Sequence, residues 1–205
     1  KTALILNPSF SATQLLKMII RDLGVVSKAR SKFDLVNALN DYLLTQTSAG
    51  NNVVLIVDEA QNLGVSQLEQ LRLLSNLETE KEKLLQIILI GQPELLDKLR
   101  LSSLRQLNQR IAVRFHMLPL VAAHVPAYIE HRLRTAATDV SKLPRFEKTA
   151  FDAIFQLTQG TPRMINLLCD RVLLSGYAAG TQHISAAMVR EAAYEVFQQS
   201  EGVTL

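Results

Sequence analysis

The sequence predicts an α/β core with a mostly parallel sheet, followed by a small domain built from helices alone. Short, continuously apolar runs such as VVLIV and LLQIILI alternate with amphipathic helical patterns in the first part of the chain. Runs of this kind are typical of strands in parallel sheets that are covered on both faces. After Pro119 the strand pattern stops. Helical segments then follow near residues 122–137, 147–158, 162–179 and 186–198.

Composition places the chain among ordinary globular proteins. Its 205 residues are 48% hydrophobic and 20% charged, and the net charge of +3 is too small to indicate nucleic-acid binding by itself. The single cysteine, Cys169, excludes an internal disulfide framework and favours a reducing compartment. No apolar run has the length of a membrane span. Because the sequence lacks both an initiator Met and a signal peptide, we expect it to be part of a longer protein.

The opening residues KTALILNP raise the question of whether Lys1-Thr2 closes a phosphate-binding loop of the type G-x-x-x-x-G-K-[ST]. Such a loop is followed directly by a helix, which Pro8 would interrupt within its second turn. The helical pattern starts later, where Ser11 and Gln14 form a predicted capping box. Lys1-Thr2 is therefore expected to begin a buried strand that ends at Asn7-Pro8.

The stretch VVLIVDEAQNL places Asp58 and Glu59 directly after a buried strand. Ligands of open α/β sheets bind at the carboxyl ends of the strands. In a phosphate-transfer site the first acid would hold Mg²⁺ and the second would polarise the attacking water. The spacing alone is equally compatible with a polar turn.

Further polar residues follow the next strand. Gln92 ends LLQIILIGQ at the same sheet edge, where it would orient the same water, although a loop-capping amide is the simpler interpretation. Arg105, Arg110 and Arg114 lie before and within a last strand predicted over residues 112–117. An exposed arginine there would reach a nucleotide on a neighbouring subunit. A solvated basic face is at least as compatible with each of the three.

Arg163 lies in the first turn of a predicted helix, where its positive charge opposes the helix dipole. This position indicates an anionic partner such as phosphate, with an ion pair to a surface acid as the alternative. The scattered histidines form no metal-ligand pattern with Cys169.

Four segments together resemble one family: VVLIVDEAQNL, EQLRLLSNLETEKEKLLQIILIGQPEL, LRQLNQRIAVRFHM and GTPRMINLLCDRVLLSGYAAG. They resemble AAA+ ATPases of the general secretion pathway protein A (ExeA-like) type, to which pilus-biogenesis and transposition ATPases are related. The resemblance covers nearly the whole chain. It implies a P-loop NTPase-type AAA+ core over residues 1–119 and a small all-α lid over residues 120–205. It also implies that the first strand and the Walker A loop precede Lys1.

By position, the resemblance implies a role for each candidate residue, with ATP and Mg²⁺ as cofactors. These roles are metal binding for Asp58, general base for Glu59, sensor 1 for Gln92, sensor 2 for Arg163 and arginine finger for Arg110, with Arg105 and Arg114 as alternatives for the finger.

The implied protein is a homo-oligomeric ATP hydrolase that assembles or remodels a secretion or pilus complex. It would lie in the bacterial cytoplasm, held at the inner membrane through parts outside these 205 residues. Without a Walker A loop, we expect these residues alone to bind ATP weakly or not at all. Two alternatives remain open. One is a transposition-type regulator that binds DNA, which the mild positive charge permits but does not indicate. The other is a nucleotide-inactive interaction module.

Overall fold

In a computed structural model the chain forms two compact units that divide between Arg114 and Phe115. The structure describes residues 1–6, 8, 10–27, 31–80 and 82–198. Asn7, part of the turn predicted at Asn7-Pro8, lies outside the described residues. Within them, no helix has both the length and the apolar character that crossing a bilayer requires.

The first unit contains a three-stranded sheet and five α-helices in its described residues. They are, in chain order, β1 (Thr2–Ile5), α1 (Ala12–Asp22), α2 (Lys32–Ser48), β2 (Val54–Val57), α3 (Val65–Leu74), β3 (Gln86–Leu89), α4 (Glu94–Leu99) and α5 (Arg105–Arg110). The strands lie in the order β1-β2-β3 and both pairs are parallel. The first apolar run is a strand, as predicted, and Ser11 and Gln14 form the predicted capping box.

One face of this sheet is buried and the other is open. Because successive side chains of a strand point to opposite faces, each strand supplies one set of side chains to the buried face and one to the open face. Ala3, Leu55 and Val57 belong to the buried set, which joins the hydrophobic core with residues of α1, α2 and α3. The opposite face carries Leu4, Leu6, Ile88 and Ile90, which are 47–60% exposed. The expectation that both faces are covered is therefore wrong for the described part of the chain.

β3 is an edge strand, since it pairs only with β2 among the described residues. The N–H groups of Gln86 and Ile90 donate to carbonyls beside and within β2 at 3.0 and 2.9 Å. The backbone groups of Ile87 and Leu89 consequently point to the open side.

The strand predicted over residues 112–117 is absent, and this expectation is corrected. Val113, Phe115 and Met117 are 82–87% exposed, and the segment forms neither a helix nor a strand. Alternating apolar residues favour a strand only where a neighbouring strand satisfies their backbone groups. The described residues provide no such neighbour here.

The second unit contains four α-helices and one pair of two-residue strands in its described part. Its elements are α6 (Val125–Ala136), β4 (Arg145–Phe146), α7 (Lys148–Thr158), α8 (Pro162–Ala178), β5 (His183–Ile184) and α9 (Ala186–Gln198). The four predicted helical segments all form helices. The short parallel pairing of β4 with β5 was not expected.

Cys169 is part of the core of the second unit. Burial, with a smaller contribution from the Asp170 carboxylate, raises the pKa of its thiol to about 12. The thiol is therefore protonated at neutral pH, and Cys169 acts as a small apolar core residue.

Gln70 in α3 is 1% exposed, and neither polar atom of its side chain has a hydrogen-bond partner among the described residues. Leaving such a buried group unsatisfied costs about 1–3 kcal/mol. Gln70→Met removes both polar atoms at similar side-chain length, so we expect the free energy of unfolding to rise by about 1 kcal/mol or more. Urea denaturation followed by circular dichroism measures the change.

Gln106→Met on the exposed surface of α5 is the matched control, with an expected change within about 0.5 kcal/mol. An unchanged or lower stability for Gln70→Met would show that water or another group already satisfies the buried amide.

Candidate functional site

Asp58 and Glu59 lie directly after β2, the middle strand of the sheet, and both side chains are half-buried. The Asp58 N–H donates to the Ile5 carbonyl at 2.9 Å, which extends the pairing with β1 past the end of the strand. Asp58 Oδ1 accepts a hydrogen bond from the Glu59 N–H, also at 2.9 Å. No described residue bonds to Oδ2, so this oxygen is available to a ligand.

Glu59 has a left-handed backbone, with φ 51° and ψ 38°. Residues with a β-carbon adopt this conformation at an energetic cost, and it persists only where the surroundings hold it. Here the following residue, Ala60, donates its N–H to the Ile90 carbonyl at 2.8 Å and begins a single 3₁₀ turn. The turn after β2 is thus tied to the turn after β3.

Gln61 connects the two predicted polar positions and was missed by reasoning from the sequence. Its Nε2 donates to Glu59 Oε2 at 2.5 Å, and its Oε1 accepts from the Gln92 N–H at 3.1 Å. Gly91 leaves room for this amide, because a β-carbon there would lie 2.7 Å from Gln61 Oε1. The only signal in the sequence is a polar residue two positions after the acid pair.

Lys98 is a second residue that the sequence did not indicate. Its Nζ, on the half-buried side chain from α4, donates to the carbonyls of Gln61 and Leu63 at 2.5 and 2.7 Å. These bonds fix the second half of the turn that carries Gln61. Nothing in the pattern of the α4 sequence separates this lysine from one on a solvated face.

The structure brings Asp58, Glu59 and the Gln92 backbone to one edge of the sheet. The Gln92 residue is exposed, and its side chain has no hydrogen-bond partner among the described residues. The link to the acid pair therefore runs through the main chain of Gln92.

The three candidate arginines of the first unit differ in their contacts. Arg105 and Arg110 lie at the two ends of α5, are exposed, and make no side-chain bond with a described residue. Arg114 Nη2 donates to the carbonyl and to Oδ1 of Asn108 at 2.9 and 2.7 Å. The Arg114 side chain is thus already engaged, whereas the other two are free to reach outward.

Arg163 belongs to the second unit and lies in the first turn of α8, directly after Pro162. Its side chain is exposed and forms no ion pair with a described residue. The alternative of a pairing with a surface acid is not seen in the described part of the chain.

The acid pair fits a magnesium ion that takes some of its ligands from the protein and the others from water and a bound substrate. Mg²⁺ usually binds proteins through one or two carboxylates together with water and phosphate oxygens. Asp58 Oδ2 and Glu59 Oε1 have no partners among the described residues, which also contain no cluster of three or more His, Cys, Asp or Glu side chains able to hold a metal alone.

Comparison with known proteins shows what this chain is similar to. Residues 2–99 match the family model described as AAA domain. Over 195 residues, 95% of this chain, the sequence is 44% identical to General secretion pathway protein A of Aeromonas hydrophila. The chain has an AAA+ fold, and most of its sequence is similar to that of general secretion pathway protein A. It spans 35% of the length of the Aeromonas relative.

Solved AAA+ structures share this fold at low sequence identity. The Aeropyrum pernix ORC2 protein in its ADP form is 16% identical with a TM-score of 0.68, and the match covers 100% of this chain and 55% of that one. Cdc6p from Pyrobaculum aerophilum is 17% identical with a TM-score of 0.67, and the match covers 100% of this chain and 56% of that one. The Thermotoga maritima RuvB Holliday junction branch migration motor is 18% identical with a TM-score of 0.53. That match covers 95% of this chain and 61% of the RuvB chain. At these identities the likeness concerns the fold alone.

Replacing Lys98 by Met tests how far the turn after β2 depends on this lysine. Lys98→Met removes a charged donor from two half-buried carbonyls, so we expect the free energy of unfolding to fall by about 1.5–3 kcal/mol. Urea denaturation provides the measurement. Lys17→Met, at an exposed lysine of α1 without a side-chain partner among the described residues, is the control and should leave stability nearly unchanged. Equal effects of the two substitutions would contradict a role of Lys98 in fixing the turn.

Proposed function

We propose that this chain is the hydrolytic module of an AAA+ ATPase that couples ATP binding and hydrolysis to assembly or remodelling of a secretion or pilus complex. The observation that carries the proposal is the half-buried acid pair at the end of the middle strand, with a left-handed Glu59 held by Gln61. The secretion context comes from the 44% identity to General secretion pathway protein A.

In the proposed reaction Glu59 is the general base that takes a proton from the water attacking the γ-phosphate. Gln61 acts as a positioning residue, because its amide bonds both the Glu59 carboxylate and the Gln92 N–H. Asp58 would contribute its free carboxylate oxygen to Mg²⁺, and a bound Mg²⁺ would neutralise charge on the phosphates. The Gln92 side chain, free of described partners, is the proposed sensor of the γ-phosphate.

Cationic side chains complete the proposed site. Arg110 would stabilise charge that develops on the γ-phosphate bound by a neighbouring subunit. Its exposed side chain favours this role over that of Arg114, which is bonded to Asn108, while Arg105 is the remaining alternative. Arg163 in the second unit would contact phosphate as sensor 2. The arrangement requires a homo-oligomer, which we propose works on the cytoplasmic side of the inner membrane with secretion or pilus-assembly components.

The main phosphate cradle has to come from other residues. The 205 residues contain no complete G-x-x-x-x-G-K-[ST] sequence. Such a loop supplies backbone N–H groups and a lysine to the phosphates. We propose that a Walker A segment of the same polypeptide supplies them, and that the proposed domains are an AAA+ core over residues 1–119 and a helical lid over 120–205.

The 205-residue chain by itself is expected to bind MgATP more weakly than micromolar, because it lacks most of the donors that hold the β- and γ-phosphates. Isothermal titration calorimetry of the purified chain with MgATP measures this affinity. Micromolar binding would contradict the proposal that a separate loop supplies the main phosphate contacts.

In the full-length protein, Glu59→Gln is expected to lower kcat for ATP hydrolysis by about 10²-fold or more, because the amide cannot accept the proton of the attacking water. ATP affinity should change little. A coupled assay of phosphate release and a filter-binding assay measure the two quantities. Glu191→Gln, at an exposed glutamate of α9 without a described partner, is the control. A Glu59→Gln protein that hydrolyses ATP at the wild-type rate would exclude Glu59 as the base.

A further inference from the structure

A cavity of about 420 Å³ lies within the second unit, whereas the acid pair belongs to the first unit. It is bounded by α6, residues 140–144, β4 and the start of α7. Its volume falls in the range of pockets that bind ligands or partner side chains. No proposed step of ATP hydrolysis uses it.

Part of the lining of this cavity is apolar. Ile129 and Leu133 come from α6, while Phe146 and Phe151 come from β4 and α7. The two phenylalanine rings stack with their centroids 5.5 Å apart and their planes 20° from parallel. This stacking fixes the position of the aromatic wall, so the cavity offers a preformed apolar surface to an incoming side chain.

Two arginines line the same cavity from different elements. Arg134 projects from α6 and Arg145 from β4, and neither side chain bonds to a described residue. By contrast, Arg171 in the same unit pairs with Glu195 at 2.6 Å. One acid, Glu130, also lines the cavity, so the charge around it is +1. Unpaired guanidinium groups beside apolar side chains favour a ligand with both an apolar part and a carboxylate.

We propose that this cavity is the docking site for a peptide segment of a partner protein in which an apolar side chain adjoins an acidic residue. The apolar side chain packs against Ile129, Leu133 and the two phenylalanines. The acidic side chain pairs with Arg134 and Arg145, whose planar guanidinium groups match a carboxylate. Apolar anchors combined with a charged contact at the rim are typical of peptide recognition.

Nucleic acid fits the same cavity poorly. Phosphate backbones are bound by several cations along a track, whereas here two arginines share the site with Glu130. The phenylalanine rings are half-buried and stacked on each other, which limits the ring surface available to a base. The chemistry of the lining therefore favours an acidic peptide.

The test uses the full 205-residue chain and fluorescein-labelled octapeptides. Each peptide carries one Leu, Phe or Trp beside one Asp or Glu, in both orders, in a Gly-Ser background. Fluorescence anisotropy is expected to show saturable binding for the preferred pair. Replacing the acid by its amide should weaken that binding at least tenfold. Failure of every peptide in the set to bind would overturn the proposal.

Charge-reversal variants separate the cavity from the rest of the surface. Arg134→Glu combined with Arg145→Glu should reduce affinity for the acidic peptide at least tenfold. Arg132→Glu, on the same helix but outside the cavity lining, should leave it unchanged. The double variant should in turn bind peptides in which Lys replaces the acid, which shows that the cavity is still folded.

Equal losses in the double variant and in Arg132→Glu would overturn the proposal, because they indicate a general charge effect. Complete displacement of the peptide by an equal concentration of phenylacetate would also overturn it, because the cavity would then be a site for a small aromatic acid. Stronger displacement by an oligonucleotide than by unlabelled peptide would assign the surface to nucleic acid instead.

Discussion

The parallel pairing of β2 with both neighbours is the constraint on which the candidate site depends. The register places Val57 opposite Ile5 on one side and opposite Leu89 on the other. All three strands therefore end at one edge, and the residues that follow them must lie close together. The Asp58 N–H bonds to the end of β1, and the Ala60 N–H bonds to the residue after β3. These two hydrogen bonds continue the pairing of the strands into the turn after β2. The acid pair lies in the middle of this edge because β2 is the central strand.

The turn after β2 is held in an unfavourable conformation by contacts from two directions. Gln61 bonds to the N–H of Gln92, three residues after β3, and Lys98 reaches the same turn from α4. Gly91 permits the close approach of Gln61. A strained backbone that receives support from separate elements keeps Glu59 in one orientation with little freedom to relax. Such preorganisation is what a general base requires, because its geometry must be set before the reaction starts.

The strands and the positions of Asp58, Glu59 and Gln92 could be predicted, because apolar runs mark buried strands and strand ends mark the sheet edge. Gln61 and Lys98 could not, since the bonds that join them to other elements connect residues 31 to 37 positions apart and leave no local pattern. The wrong strand at residues 112–117 has a related cause. Alternation at Val113, Phe115 and Met117 reports which side chains share a face, but strand formation depends on a partner that local sequence does not specify.

The open side of the sheet and the absence of a phosphate loop are explained by the same proposed segment. A parallel strand beside β3 would pair with the free backbone groups of Ile87 and Leu89. A helix returning from that strand would cover the apolar face that carries Leu4 and Ile88. The loop between them would emerge at the carboxyl edge, next to Asp58, with the helix N-terminus facing a phosphate. One strand-loop-helix unit would pair with the free backbone groups of β3, cover the apolar face and bind the phosphate. We therefore propose that the Walker A segment docks at β3.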